Sequence, residues 1–362
     1  MSNETDVYRD LQQHLDSFPV GFPATESGVE IRMLKNLFTP EEAKIATKLT
    51  FAAHATEPLD SIFERFKSSD MTRDMLETAL DRMVEKGLLL FQQEGDQKYY
   101  NNAQLAVGIY EFQISRLSPQ FLDDLSQYFK EAYGKEYMGA RPTQLRVIPV
   151  DKSFTHKDTV AIYDVARELV NDSEGPFMVA PCVCREGRKL AGTTCEVTQR
   201  KETCLGFGPI AQQYINQGWG REISKDDVLT LVSESENEGL ILQVSNTKEI
   251  QVFCSCCSCC CGLLRMKKRT PRPVEFFTTN FYAGVDVDLC TGCETCVDLC
   301  QMDALRLEDS VSFVDLDRCV GCGICVTSCP EGALTLCRNE EQSEPPATLE
   351  DLFQAISERK VR

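Results

Sequence analysis

Histidine is almost absent from this chain: its 362 residues include three, His14, His54 and His156, and none stands in a cysteine cluster. A metal bound here is therefore held almost entirely by thiolates, which narrows the choice to iron–sulfur clusters or all-cysteine zinc. Basic residues are short as well, 38 Lys and Arg against 56 Asp and Glu, for a net charge of −18. That balance disfavours nucleic acid as the main partner. No stretch approaches 18 consecutive apolar residues, so no membrane span is expected. The opening MSNETDVYRDLQQHLDSF lacks the basic start and apolar core of a secretory signal, so a cytoplasmic location is expected. No phosphate-binding G-x4-G-K-[ST] occurs, and no nucleophile–base pattern emerges, so no catalytic residue is named.

Cysteine is what the chain has instead. There are 19, an odd number in a long chain, which argues against a paired disulfide framework. In a reducing compartment they are available as metal ligands. The remaining composition, 42% hydrophobic and 26% charged, is that of a globular protein with two or three domains.

Residues 1–140 contain no cysteine. Thr39-Pro40-Glu41-Glu42 reads as an N-cap, a proline at the first helical position and acids in the first turn of a helix running to about Thr50. A second helix is expected over Pro58–Phe66. A third is expected over Thr72–Lys86, with Met75, Leu76, Leu80 and Met83 as its apolar stripe and Gly87 as its stop. LLLFQQ and KYYNN then form a hairpin. Three helices and a hairpin resemble a winged-helix domain. The third helix, however, sets Asp74, Glu77, Asp81 and Glu85 against Arg73, Arg82 and Lys86, a poor surface for phosphates.

A cysteine-rich α+β domain is expected over 150–268. Asp158–Val170 reads as a helix and PFMVAPCVC as a strand ending in cysteines. Ser224 caps a helix through Glu238 that Gly239 stops. LILQVSN and EIQVFC form a hairpin leading into CSCCSCCCG, where six cysteines stand among the eight positions 254 to 261. Cys182, Cys184, Cys195 and Cys204 form an earlier set, readable as cluster ligands, as a zinc site or as buried thiols. Gly206-x-Gly208-x-x-Ala211 matches a dinucleotide fingerprint on paper, but TCLGFG follows a polar loop and reads as a turn opening a helix at Ile210. RMKKRTPRP leads into a solvated linker over 269–280. A last helix is expected over 347–362.

The most specific signal is Cys290-x2-Cys293-x2-Cys296-x3-Cys300 followed by Cys319-x2-Cys322-x2-Cys325-x3-Cys329-Pro330. VDVDLCTGCETCVDLCQMDALRL and VDLDRCVGCGICVTSCPEGALTL repeat at an offset of 29 residues, an internal duplication. This is similar to the bacterial two-cluster ferredoxins, and 281–340 is expected to be such a domain, folding as a small unit of its own. The resemblance implies two [4Fe-4S] clusters, one on Cys290, Cys293, Cys296 and Cys329, the other on Cys319, Cys322, Cys325 and Cys300. Gln301 stands where the family has proline. Cys337 lies outside both motifs and reads as a packed thiol.

Together with CVCR (182–185) and CSCCSCCCG (254–262), the eight ferredoxin cysteines make the chain resemble a group of anaerobe iron–sulfur proteins with a helical or winged-helix head. That resemblance implies electron transfer in anaerobic metabolism. The fold class expected is α+β, in three parts: winged-helix-like, cysteine-rich and ferredoxin-like. If the 254–262 ribbon stays extended, Cys254, Cys256 and Cys260 face one way and Cys257, Cys259 and Cys261 the other. With the four earlier cysteines, ten thiolates are available for one or two further clusters. Redox partner proteins, and membership of a larger oxidoreductase complex, are expected. The alternatives are an iron–sulfur redox-sensing regulator and a reductase acting at the CCxCCC cluster.

Overall fold

The computed structural model describes residues 2–51, 57–67, 69–154 and 160–360. They form two compact units: 1–141 with 212–219 and 353–362, and 142–211 with 220–352. Helices and antiparallel strands alternate without βαβ crossovers, an α+β chain. Among the described residues no helix is long and apolar enough to cross a membrane.

The first unit holds helices Ser2–Asp16, Val29–Leu37, Pro40–Ala46, Leu59–Phe63 and Arg73–Glu85. Thr39 caps the third through a full capping box with Glu42, and Thr72 caps the fifth. Gly87 follows that helix at φ +71, a backbone state glycine adopts without strain. Strands β1 (Glu57–Pro58), β2 (Leu89–Glu94) and β3 (Gln97–Asn102) make a sheet in the order β1-β3-β2. The apolar stripe of the fifth helix is Leu76, Ala79, Leu80, Met83 and Val84. Met75, expected in it, is 52% exposed, because it sits one position off the core-facing rows. His14 is structural, its ring bonded to the Leu49 carbonyl at 2.7 Å. His54 and His156 lie outside the described residues.

The second unit is built on a six-stranded antiparallel sheet. In chain order its strands are β4 (Leu145–Ile148), β5 (Phe177–Pro181), β6 (Glu202–Phe207), β7 (Arg221–Ile223), β8 (Ile241–Ser245) and β9 (Val252–Cys256). In space they run β4-β8-β9-β6-β5-β7. TCLGF thus lies in strand β6 rather than in a loop, and Gly208, at φ +56, opens the helix Gly208–Asn216 directly after it. An antiparallel sheet still does not provide the parallel unit that a dinucleotide fingerprint requires. The helix expected from Asp158 begins outside the described residues; the regular helix is Ala166–Asp172. Helix Lys225–Asn237 is capped by Ser224 and ends before Gly239.

The duplicated segment adds β10 (Phe281–Val285), β11 (Leu305–Glu308), β12 (Val311–Val314) and β13 (Leu334–Arg338), with short helices Thr295–Leu299 and Ile324–Ser328. It does not stand apart from the sheet. Met302, Ala304, Val320 and Ile324 share one buried core with Ile148, Val150, Ile241 and Leu264. The Val150 N–H also donates to the Cys322 carbonyl.

The basic stretch after the cysteine ribbon belongs to the same body. Lys268 pairs with Asp303 at 2.7 Å and Arg272 with Asp317 at 3.0 Å. Phe277 is buried, with the Lys267 ammonium 4.3 Å from its ring centre.

Candidate metal centres

The sequence offset of 29 becomes a two-fold relation in space. Val285 pairs with Leu334 in β10–β13, and Val314, the duplicate of Val285, pairs with Leu305, the duplicate of Leu334, in β12–β11. Gly292 at φ +67 and Gly321 at φ +65 are duplicates as well. A Cβ on Gly292 would meet the Ser310 carbonyl oxygen, and one on Gly321 the Phe281 carbonyl oxygen. Both glycines are therefore required by a positive φ and a backbone approach at once.

The same exchange positions the thiols. The Ser312 N–H donates to Cys290 Sγ at 3.4 Å, and the Ala283 N–H to Cys319 Sγ at 3.4 Å. Within each half, the Ala304 N–H reaches Cys300 Sγ at 3.2 Å and the Ala333 N–H reaches Cys329 Sγ at 3.3 Å. Backbone donors to sulfur stabilise the thiolate and tune a bound cluster.

Two cavities lie inside this frame. One is lined by Cys290, Cys293, Cys296 and Cys329. The other is lined by Cys300, Cys319, Cys322 and Cys325, with Ile241 of β8 in its wall. Four thiols around one cavity, with N–H groups aimed at sulfur, fit a four-iron cluster at each place.

The two quartets differ in surroundings. N–H donors from Ser312 and Gly292 draw the Cys290 thiol below its ordinary value, and the Thr295 hydroxyl does the same for the exposed Cys293. Burial pushes the Cys322 thiol up to about 12 and raises Cys319 and Cys325 too. One quartet is the outer site and the other the inner.

In the ribbon, strand β9 stops at Cys256 and the chain turns. The Cys260 and Cys261 N–H groups both return to the Cys257 carbonyl, and Cys261 caps the helix Gly262–Lys268. The expected alternation therefore fails after Cys257: Cys260 sides with Cys257 and Cys259, and Cys261 with Cys254 and Cys256. The four earlier cysteines also divide. Cys195 approaches Cys257 at 3.5 Å and Cys259 at 3.7 Å, and Cys259 approaches Cys260 at 3.7 Å. All four sulfurs lie within 4.8 Å of one another.

Cys182, Cys184 and Cys204 join the other set. Cys204 stands opposite Cys254 across β6–β9. Thiol contacts run from Cys204 to Cys254, Cys256, Cys261, Cys184 and Cys182 in turn. Neighbouring thiols and burial raise the Cys182, Cys254 and Cys256 thiols well above the ordinary value. In the tight quartet burial also pushes Cys195 up, but the Thr198 and Val197 N–H groups and two thiols outweigh it and hold it at about 6.

Arg185 and Gln301 are the residues that sequence reasoning did not place. Arg185 is 7% exposed, donates to the Ser255 carbonyl at 3.0 Å and Thr203 Oγ1, and reaches Cys257 Sγ at 3.7 Å. Its guanidinium charge also acts on Cys182 and Cys256, so it faces thiols of both sets. An arginine directly after C-x-C was the available signal. Gln301 accepts from the Ser258 N–H at 2.7 Å and donates to the Gly239 carbonyl. Cys337, on β13, lies outside every set and packs against Gly284.

A family model described as 4Fe-4S dicluster domain matches residues 289–334. No curated protein matches the chain. The match covers both duplicated cysteine motifs and, with the two quartets, supports the binding of [4Fe-4S] clusters by this segment.

Proposed function

We propose that the protein relays single low-potential electrons between redox partners in anaerobic metabolism, through two ferredoxin clusters and at least one further centre on the middle cysteines. The observation that carries this is the pair of cysteine quartets, each around its own cavity, with Cys300 and Cys329 each lining the cavity of the opposite half. Four-iron clusters supply reversible one-electron transfer when bound. The chain's part is to hold eight thiolates, donate N–H groups to their sulfurs, and grade their exposure.

That grading supports a direction of contact. The outer quartet, with Cys293 exposed, is the face for a soluble partner, and the acidic chain favours a basic one. The inner quartet is walled by Ile241 of the middle sheet. Leu240, next to it, packs on Cys257 and Cys260. Adjacent residues of one strand entry therefore touch an inner ferredoxin site and a middle-domain site.

We read the stretch from helix Pro40–Ala46 to β3 of the first unit as winged-helix-like, and the unit as a scaffold for protein contacts within a larger oxidoreductase complex. On its fifth helix Arg73 is engaged by Asp60 at 2.7 Å and Glu77 at 3.1 Å, and Asp81 is held by Lys98 and Tyr100. Little free positive charge remains there for phosphate. The test is an anaerobic redox titration of the full chain followed by electron paramagnetic resonance. Two interacting one-electron [4Fe-4S] signals lost together from a Cys293→Ser/Cys322→Ser variant are expected. Absence of both signals from wild-type protein purified without air would overturn the reading.

A further inference from the structure

The ten cysteines of the middle domain fall into a four and a six, and the two groups differ in shape. Among the described residues, Cys195, Cys257, Cys259 and Cys260 are the only three or more metal-ligating side chains whose donor atoms all lie within 4.8 Å. Neither ferredoxin quartet closes that far. The contrast is informative because those quartets must surround a cube whose four irons each take one thiolate. Four thiolates on one ion sit at the corners of a single tetrahedron, and metal–sulfur bonds of about 2.3 Å place them roughly 3.8 Å apart. The separations of 3.5, 3.7 and 3.7 Å match that edge.

The chain closes this quartet by local means. The turn at Cys257 brings Cys257, Cys259 and Cys260 to one side. Leu240 and Val197 give it an apolar wall, and the Thr198 N–H donates to Cys195 Sγ at 3.5 Å. Donors to sulfur from outside the ligand set are what orients a thiolate site. Arg185 adds a buried positive charge next to Cys257.

The other set is different. Cys182, Cys184, Cys204, Cys254, Cys256 and Cys261 offer six sulfurs, more than one tetrahedral ion accepts, and they do not close within 4.8 Å as the quartet does. Cys254, Cys256 and Cys261 lie in the same buried core as Cys300, Cys319 and Cys322 of the inner ferredoxin site.

We propose that the middle domain carries two chemically different centres: a single tetrahedral zinc ion on Cys195, Cys257, Cys259 and Cys260, and one four-iron cluster that draws its four ligands from the six remaining thiolates. The zinc centre pins the turn that separates the two sets, and only the four-iron centre exchanges electrons with the ferredoxin. This rests on the reading above that the chain loads ferredoxin clusters, and the test separates the two.

The full chain, produced and purified without air, is assayed for zinc and iron per chain. About 12 irons, four for each of three clusters, and about one zinc are expected. Cys195→Ser and Cys259→Ser should lose the zinc and keep the iron. Cys204→Ser and Cys254→Ser should lose about four irons and keep the zinc. Where a variant fails to fold, wild-type chain grown with cobalt(II) in place of zinc gives the answer. Tetrahedral cobalt-thiolate bands in its visible spectrum support the assignment. About 16 irons with no zinc, or iron lost from Cys259→Ser, overturns it. A failure of the ferredoxin reading shows elsewhere, as missing iron that Cys293→Ser does not change.

Discussion

The side-chain oxygen of Gln301 accepts a hydrogen bond from the Ser258 N–H at 2.7 Å, joining the residue after Cys300 of the inner quartet to the middle of the Cys257–Cys260 turn. Its amide nitrogen meanwhile donates to the Gly239 carbonyl. Pro330 fills the duplicate position and can do neither. Gln301→Pro should therefore cost about 2 kcal/mol, two neutral bonds at roughly 1 kcal/mol each, while the eight ferredoxin ligands stay in place. Hydrogen exchange at the Ser258 amide should quicken in the variant. Unchanged protection there would show that the bond does not tie the two segments together. Gln301→Glu keeps the acceptor and loses the donor, and should fall between the two.

Cross-ligation has its own signature. Cys329 is the last cysteine of the second motif yet lines the cavity of Cys290, Cys293 and Cys296. Cys329→Ser should damage the outer cluster and leave the signal of the inner one. Loss of the inner signal instead would mean that each motif serves its own cluster.

Glu111, in the first unit, supplies a pH dependence free of metal chemistry. Burial pushes its carboxyl up to about 7, against the Gly108 N–H that donates to it at 2.7 Å. Below about pH 4.5 the folded and unfolded chains are both protonated and no difference arises. As pH rises from there to about 7, the unfolded chain gives up its proton before the folded one. Stability of this unit should therefore fall across that window by at most about 3 kcal/mol, and level off above it. Trp219, the single tryptophan, stacks on Phe112 at 5.2 Å and reports the transition by fluorescence. Glu111→Gln should flatten the curve, and a variant that keeps the wild-type slope would exclude Glu111 as its source.

Arg146 and Asp164 form a buried pair at 3.3 Å, and Asn280 donates to the same carboxylate. Desolvation dominates on both sides: it lowers Arg146 to about 10 and raises Asp164. Asp164→Ala would leave the guanidinium buried without its counter-charge, and should destabilise the second unit by about 3 to 5 kcal/mol in denaturant titrations. Arg146→Met together with Asp164→Leu should cost far less. Equal losses from the single and double variants would count against desolvation as the controlling cost.

The first unit should not shift DNA fragments at physiological salt. The expectation follows from the engaged arginine and the acids of helix Arg73–Glu85, and from the net charge of −18. A salt-sensitive, sequence-specific shift by the holo-protein would favour a regulator instead.

Where chemistry is local, the sequence was readable. Thr39 and Thr72 cap their helices through bonds three residues long, and Gly87 and Gly239 end helices by a φ that other residues resist. The ferredoxin spacing was readable for a related reason: a duplication at constant offset must repeat its contacts, and Gly292 and Gly321 do so against Ser310 and Phe281.

The middle cysteines were not readable in this way. An extended ribbon would sort them by alternation, and that holds only while β9 has β6 and β8 as neighbours. Past Cys256 the ladder ends, and the chain turns under bonds to Cys257 and to Gln301, which lies 43 positions further along. The sorting of Cys260 from Cys261, and of Cys195 from Cys182, Cys184 and Cys204, depends on which strands meet across the sheet. Sequence by itself determined that this chain binds metal through thiolates and that its tail carries a duplicated ferredoxin motif, because those facts lie in residue type and spacing. Only the tertiary structure decided which thiols lie together, because sulfurs far apart in the chain are brought together by strand pairing and by the half-buried Gln301 amide.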